Sequence, residues 1–255
     1  MATMDPDTYV KSIVAKYALL KRPSEAEVAA QEIYEVIKLW AHEWLLDVTY
    51  SGSSAKGTAI RGIADVDLFI SLKNETPATL GEIYTSLVNY KGLKPYQPRR
   101  QNVSIGVKVN GRAIDLVPAK KQSGNTTDHS LYRSKAETWV QTNVDKHINL
   151  IKNCQRLDEI RALKIWRAQH KLDFPSFYLE LTVIKALNGK RTGQLASNVW
   201  TVLEYLRDSF VSAAIIDPAN TNNKLSDDLT LADKKLVKEK AGVCLKASNW
   251  NQILW

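Results

Sequence analysis

The stretch Ala64-Asp65-Val66-Asp67-Leu68-Phe69-Ile70-Ser71-Leu72 sets two carboxylates into a run that otherwise reads as a buried β-strand. Side chains alternate across a strand, so Asp65 and Asp67 share one face, and Val66, Leu68, Ile70 and Leu72 share the other. Two like charges held that close are costly unless a cation sits between them. Just upstream, Gly52-Ser53-Ser54-Ala55-Lys56-Gly57-Thr58 is a small-residue turn suited to close approach of a phosphate. A phosphate cradle followed by paired acids points to phosphoryl or nucleotidyl transfer with divalent metal ions.

Moving outward, Val48–Tyr50 fits a short strand leading into the glycine turn. Val103, Ile105, Val107 and Val109 alternate strictly, and Asn110-Gly111 then signals a two-residue hairpin turn with a returning strand over 112–117. That turn predicts a register with Val109 opposite Arg112, Val107 opposite Ile114 and Gly106 opposite Asp115. A third carboxylate would then stand over a glycine, leaving room for an ion and a substrate. Ser24-Glu25-Ala26-Glu27 reads as a capping box, followed by Ile33, Val36, Ile37, Trp40 and Trp44 at helical spacing. Residues 80–88 are a second helix. After Thr142 the pattern is helical over 144–153, 157–170, 175–188 and 195–210. Residues 217–223 read as a turn-rich loop, and Thr230 to Asp233 as the cap of a last helix. The expected class is α+β. A mixed-sheet catalytic lobe with helices, including an N-terminal one, occupies 1–142, and a helical lobe over 143–255 completes a nucleotide cleft.

Composition narrows the partners. The chain has 255 residues and a net charge of +8. Between Tyr84 and Thr127 the bases are Lys91, Lys94, Arg99, Arg100, Lys108, Arg112, Lys120 and Lys121, against the single acid Asp115. Such a stretch is either an anion-binding surface, for a nucleotide or nucleic acid, or a solvated basic face. No apolar run reaches a membrane span, and the first residues lack the order of a signal peptide, so a cytoplasmic protein without membrane contact is expected. Cys154 and Cys244 are far apart and read as free thiols. The four histidines lack metalloprotease spacing and read as structural or surface residues.

Gly52-Ser53, Gly57-Thr58, Asp65-x-Asp67 and Asp115, in that order, resemble the DNA polymerase β-like nucleotidyltransferase superfamily. Further stretches are similar to its oligoadenylate synthetase and cyclic GMP-AMP synthase group, especially the bacterial CD-NTases. These are Ile114–Ala119, Trp139–His147, Leu163-Lys164-Ile165-Trp166 with Ser176–Glu180, and Asp217–Asn223. The likeness covers residues 50–223. It implies that Asp65, Asp67 and Asp115 hold two Mg²⁺, with Mn²⁺ as a substitute, and that Asp115 helps deprotonate the attacking ribose hydroxyl. It further implies that Gly52 and Ser53 hold the donor triphosphate, that Lys164 and Ser176 contact donor phosphates, and that Phe177, with Tyr178 as a second candidate, stacks on a base.

The residues themselves leave alternatives at four of these positions. Lys164 interrupts an apolar helical stripe, and the alternative reading is a lysine snorkelling to solvent. Ser176 stands at a helix start, where it is either an anion site or a simple cap. Phe177 and Tyr178 read from pattern alone as core. The resemblance implies an enzyme that joins nucleoside triphosphates into a linear or cyclic signalling oligonucleotide, as in bacterial anti-phage defence, with release of pyrophosphate. The competing readings are nucleotide addition to an RNA 3′ end, with Lys91–Lys121 as an RNA track, and a catalytically inactive nucleotide- or RNA-binding protein. No Cys/His cluster exists for a zinc ribbon, which favours a compact bacterial-type enzyme and argues against obligatory activation by long nucleic acid.

Overall fold

The computed structural model describes residues 4–19, 24–62 and 65–255. In chain order the elements are α1 (Pro6–Tyr17), α2 (Ser24–Ala41), β1 (Leu45–Tyr50), α3 (Gly52–Lys56), β2 (Val66–Leu72), α4 (Leu80–Asn89), β3 (Arg99–Arg100), β4 (Ile105–Val109), β5 (Arg112–Lys121), β6 (His129–Arg133) and β7 (Thr138–Thr142). There follow α5 (Val144–Asn153), α6 (Leu157–Gln169), α7 (Ser176–Ala186), α8 (Leu195–Asp208), β8 (Ile216–Asp217), β9 (Asn220–Lys224) and α9 (Leu231–Cys244). The architecture is α+β, as the patterning requires. No helix among the described residues is long and apolar enough to cross a membrane.

The chain divides into two compact units, one of residues 20–56 and 64–149, the other of residues 1–19, 57–63 and 150–255. This corrects the expected division at 142/143. Helix α1 packs with the C-terminal helices because Val10, Ile13 and Val14 enter the same buried cluster as Ile160, Leu163 and Val199, and the Tyr9 hydroxyl donates to the Leu254 carbonyl at 2.9 Å. Residues 57–62 also leave the sheet unit: the Leu19 amide donates to the Ala59 carbonyl, and Ile60 joins the helical core.

The sheet unit carries a mixed sheet in the order β1-β2-β5-β4-β3, with β6 paired to the far end of β5 and β7 to β6. β2 is antiparallel to β1 and parallel to β5. Val66, Leu68, Ile70 and Leu72 of β2 join Ile105, Val107, Val109, Ile114 and Leu116 on one face, against Ile33 and Ile37 of α2 and Ile83 and Leu87 of α4. Removing these side chains from water drives assembly of the layer, at about 1.5–3 kcal/mol for each fully buried large aliphatic. Helix α4 opens on a full Thr79–Glu82 capping box. The Ser24 side chain, half of the expected box on α2, lies outside the described residues.

Asn110 and Gly111 take φ of 49° and 80°, the paired left-handed geometry of a type I′ turn. The resulting pairs are Val109–Arg112, Val107–Ile114 and Gly106–Asp115, as the turn predicts. The β6–β7 hairpin was not foreseen. Residues 217–223, expected as a loop, form the β8–β9 hairpin, with Asp217 paired to Asn220. Thr230 and Asp233 make a capping box at the start of α9.

Candidate active site

β2 and β5 run parallel in a register that places Asp67 directly beside Asp115. Gly106 pairs with Asp115 across the hairpin, and Arg99 pairs with Gly106. Four neighbouring strands therefore carry one straight row, Asp67–Asp115–Gly106–Arg99, on the face opposite the α2/α4 core. Asp65 precedes the strand by one residue and is exposed. Further along the same face, Phe69, Ala119 and Leu131 form a small apolar cluster.

Gly52 is fixed by this arrangement. Its φ is +59°, and a Cβ built there would lie 1.7 Å from Asp67 Oδ2, so only glycine lets the backbone pass the carboxylate. The Ser51 amide donates to the Asp67 carbonyl at 2.9 Å, tying the turn to the strand. The expected glycine turn is the short helix α3 over Gly52–Lys56, with Ser53 half-buried in its first turn.

Glycine 106 works differently from the expectation. The space above it is filled by the Gln101 side chain, whose amide a Cβ would meet at 2.7 Å. Gln101 Nε2 donates to Asp115 Oδ1 at 2.9 Å. Gln101 is itself clamped: its Oε1 accepts from Ser104 Oγ, its carbonyl from the hydroxyls of Tyr84 and Ser134, and its amide donates to Tyr84 Oη. The third carboxylate thus has one oxygen held by a rigid amide. Burial pushes the Asp115 carboxyl above the usual range; the Gln101 bond opposes this, the Asp65 charge adds to it, and Arg99 pulls it back. The protein mass beside Asp65 raises its carboxyl too, again with Arg99 opposing. Carboxylates held close, raised and facing outward form a hard-oxygen donor set that a divalent cation would relieve. Among the described residues, no group of three or more histidines, cysteines, aspartates or glutamates, Asp65, Asp67 and Asp115 included, is placed so that it could hold a metal ion together.

The remaining predicted residues lie in the helical unit, and two of them are corrected. Lys164 is 2% exposed. Its ammonium donates to Glu180 Oε1 at 2.6 Å and to Thr58 Oγ1 at 2.8 Å, and Thr58 donates to the same Glu180 oxygen at 2.7 Å. Neither a phosphate contact nor snorkelling to solvent describes it: it is one half of a buried ion pair. Thr58, part of the expected turn, belongs to that pair as well. Tyr178 is 1% exposed, stacked on Phe210 and edge-on to Phe174, so its faces are covered and no base can reach them. Phe177 is half-buried against the helical core. Ser176 is exposed at the first turn of α7 and accepts from Arg167 Nη1 at 3.0 Å; Pro175, not Ser176, is the cap residue.

Sequence reasoning missed Gln101 and Arg99 beside the acids, and in the helical unit it missed Arg167 as the partner of Ser176. Arg99 was legible in principle, since extending the hairpin register by one strand puts it in the acid row. Nothing in the sequence marks Gln101, because its role depends on Tyr84 and Ser134, contributed by α4 and the loop after β6. The basic stretch is not one track. Arg112 meets Glu25 at 3.4 Å, Lys120 donates to the Thr76 carbonyl, and Arg100 sits over the Tyr84 ring. The thiols are free as expected, Cys244 buried and Cys154 half-buried. His129 and His170 are structural: His129 bonds Ser71 Oγ and the Thr127 carbonyl, and His170 lies between the Trp166 and Trp255 rings.

Residues 33–165 match the family described as nucleotidyltransferase domain, a span containing Gly52 and all three acids. A cyclic AMP-AMP-AMP synthase of Escherichia coli (strain MS 115-1) is 24% identical over 207 residues, covering 72% of this chain and 64% of that protein's length. The solved structure of E. coli MS115-1 CdnC with ATP superposes with a TM-score of 0.76 at 18% identity, over 97% of this chain and 96% of that one. The CdnE cyclic dinucleotide synthase of Elizabethkingia meningoseptica, solved with GTP and Apcpp, gives a TM-score of 0.71 at 14% identity, over 94% and 99%.

Proposed function

This chain belongs to the nucleotidyltransferase domain family, and on that premise we propose that it joins nucleoside triphosphates into a short linear or cyclic oligonucleotide that serves as a signal. The observation that carries this reading is the Asp67–Asp115 pair across parallel strands, with Asp65 beside it and Gly52 packed against Asp67. The likeness to a cyclic AMP-AMP-AMP synthase supports a small-nucleotide product; a signalling role in bacterial anti-phage defence, in the cytoplasm, is part of the same proposal.

Asp65, Asp67 and Asp115 are the residues that would hold two Mg²⁺, or Mn²⁺ in their place. Such ions, when bound, neutralise charge on the phosphates and on the attacking and leaving oxygens. Gly52 and Ser53, with the nearby backbone N–H groups of the α3 turn, hold the donor triphosphate. Asp115, with Oδ1 fixed by Gln101, accepts the proton of the acceptor ribose hydroxyl on its other oxygen. A carboxyl raised towards working pH is a better proton acceptor for this step. The hydroxyl oxygen bonds to the α-phosphorus as the bond from that phosphorus to the α–β bridging oxygen breaks, and pyrophosphate leaves. Ser176, with Arg167 beside it, meets the donor phosphates, and the half-buried Phe177 is the base platform. Catalysis on this reading is mainly positioning and charge stabilisation.

The test is incubation of purified protein with labelled NTPs and Mg²⁺ or Mn²⁺, with and without tRNA. A phosphatase-resistant small product with release of pyrophosphate is expected. Label transferred to tRNA would replace this reading with 3′-end addition, and absence of pyrophosphate under every condition would overturn it.

A further inference from the structure

The acid-bearing face does not end at the acids. Across the sheet the row runs Asp67, Asp115, Gly106, Arg99. One strand step along, Ala113 pairs with Lys108 on the same face, flanked by Asp65 on the acid side. Both rows therefore read acid, small residue, base. Arg99 and Lys108 are exposed, and they line a groove of about 580 Å³ with Gln97, Gly111 and Ala113 and no acidic side chain. Above Gly106 the Gln101 amide stands between Asp115 Oδ1 and Arg99 Nη2, so the groove reaches the acids along Ala113, the groove-lining residue two before Asp115 on the same face. Of the basic stretch, Arg99 and Lys108 lie on the acid-bearing face next to the acids, while Lys121 shares that face only at the far end of β5, beside His129.

A ligand fitted to this gradient has a hydroxyl at one end and an anion at the other. We propose that Arg99 and Lys108 hold a phosphate group of the acceptor, so that its ribose lies over Ala113 with a hydroxyl at the Asp115 oxygen that Gln101 does not hold. This rests on the nucleotidyl-transfer reading and names its acceptor subsite. The same chemistry has two sources: the 5′-phosphates of a first acceptor nucleotide, or the internal phosphodiester of a linear intermediate awaiting the next joining step. A groove of this size with two cations suits a mono- or dinucleotide, and the dispersal of the remaining bases makes it a poor track for long RNA.

Binding without turnover tests the subsite. The four 5′-phosphorylated homodinucleotides, and the same compounds lacking the 5′-phosphate, are titrated by calorimetry in EDTA against wild type, Arg99→Ala, Lys108→Glu and Lys108→Arg. At least one phosphorylated dinucleotide is expected to bind wild type. Each of the first two substitutions should weaken it about tenfold, with binding largely restored in Lys108→Arg. Loss confined to the 5′-phosphorylated compounds assigns the groove to the terminal phosphate; equal loss in both sets assigns it to the phosphodiester. Unchanged melting temperatures exclude misfolding, since both positions are exposed strand sites. No binding to wild type, or binding within twofold across all four proteins, would overturn the proposal. If wild type turns over NTPs while this happens, the subsite alone fails; if it makes no pyrophosphate in the assay above, the parent reading fails.

Discussion

Lys164 and Glu180 in the helical unit, and Asp65, Asp67 and Asp115 in the sheet unit, are both charged groups set among apolar neighbours, yet their surroundings treat them in opposite ways. The lysine and glutamate are withdrawn from water and paired at 2.6 Å, with Thr58 closing the triangle. Among the described residues, Asp65 and Asp115 have no ion-pair partner; Arg99 only moderates their raised carboxyls through space. A fold that satisfies a buried charge uses it as structure. Two carboxylates near one another at an open face, as Asp65 and Asp115 are, mark a place where a ligand's charge would be favourable. The contrast separates residues that resemble site residues in sequence from those that can act as them.

The largest effect should come from neutralising the open cluster. Asp65→Asn with Asp67→Asn is expected to lower NTP turnover by about 10³-fold or more while leaving the melting temperature near wild type; retained turnover would break the comparison on its functional side. The paired cluster should respond in reverse. Glu180→Ala strands the Lys164 ammonium and should cost about 3–5 kcal/mol of stability by chemical denaturation. Lys164→Met combined with Glu180→Leu should recover most of that and keep turnover. If the double variant folds well but has lost donor binding, Lys164 acts on phosphate after all.

Between these extremes lies Gly52→Ala, which forces Cβ into Asp67 Oδ2 at a left-handed φ. A loss of about 1–3 kcal/mol in stability, together with a fall in turnover, is expected from thermal melts and pyrophosphate assays; a silent substitution would show that the turn and carboxylate are not in register. The smallest effect concerns His129. Burial first, and Lys121 with it, hold its imidazole below the usual histidine range, while the Thr127 carbonyl opposes this. The unfolded chain then takes up the proton first as pH falls. Stability from this residue is full above the ordinary histidine range and lost as pH drops below it. His129→Gln should flatten the acid side of the melting-temperature profile by a small amount; an unchanged slope would remove His129 from the account.

Much of the open cluster was legible because its determinants are local. Alternation in 65–72 and the Asn110-Gly111 turn fix which side chains share a face, and the turn fixes register to the residue. The paired cluster was not legible, because Lys164 finds Glu180 sixteen residues on and Thr58 106 residues back. Periodicity shows that a lysine breaks an apolar stripe but not what neutralises it. Helix α1 carried its own signals, Asp5 as cap and Pro6 in the first turn, yet its membership in the C-terminal core is a tertiary fact. Strands β6 and β7 escaped notice because the turn between them has no glycine, and Thr138 and Trp139 are exposed, so the hairpin lacks both punctuation and clean alternation.

The proposed enzyme depends on the grip of Asp65, Asp67 and Asp115 on divalent cations against a triphosphate. The most direct measurement of that grip is Mn²⁺ binding by electron paramagnetic resonance in the presence of a non-hydrolysable NTP analogue, for wild type and for the single Asn variants at the three positions. Saturable binding by wild type, weakened about 100-fold at each position with the fold intact, is the predicted result. Equal Mn²⁺ affinity in wild type and all three variants would contradict it.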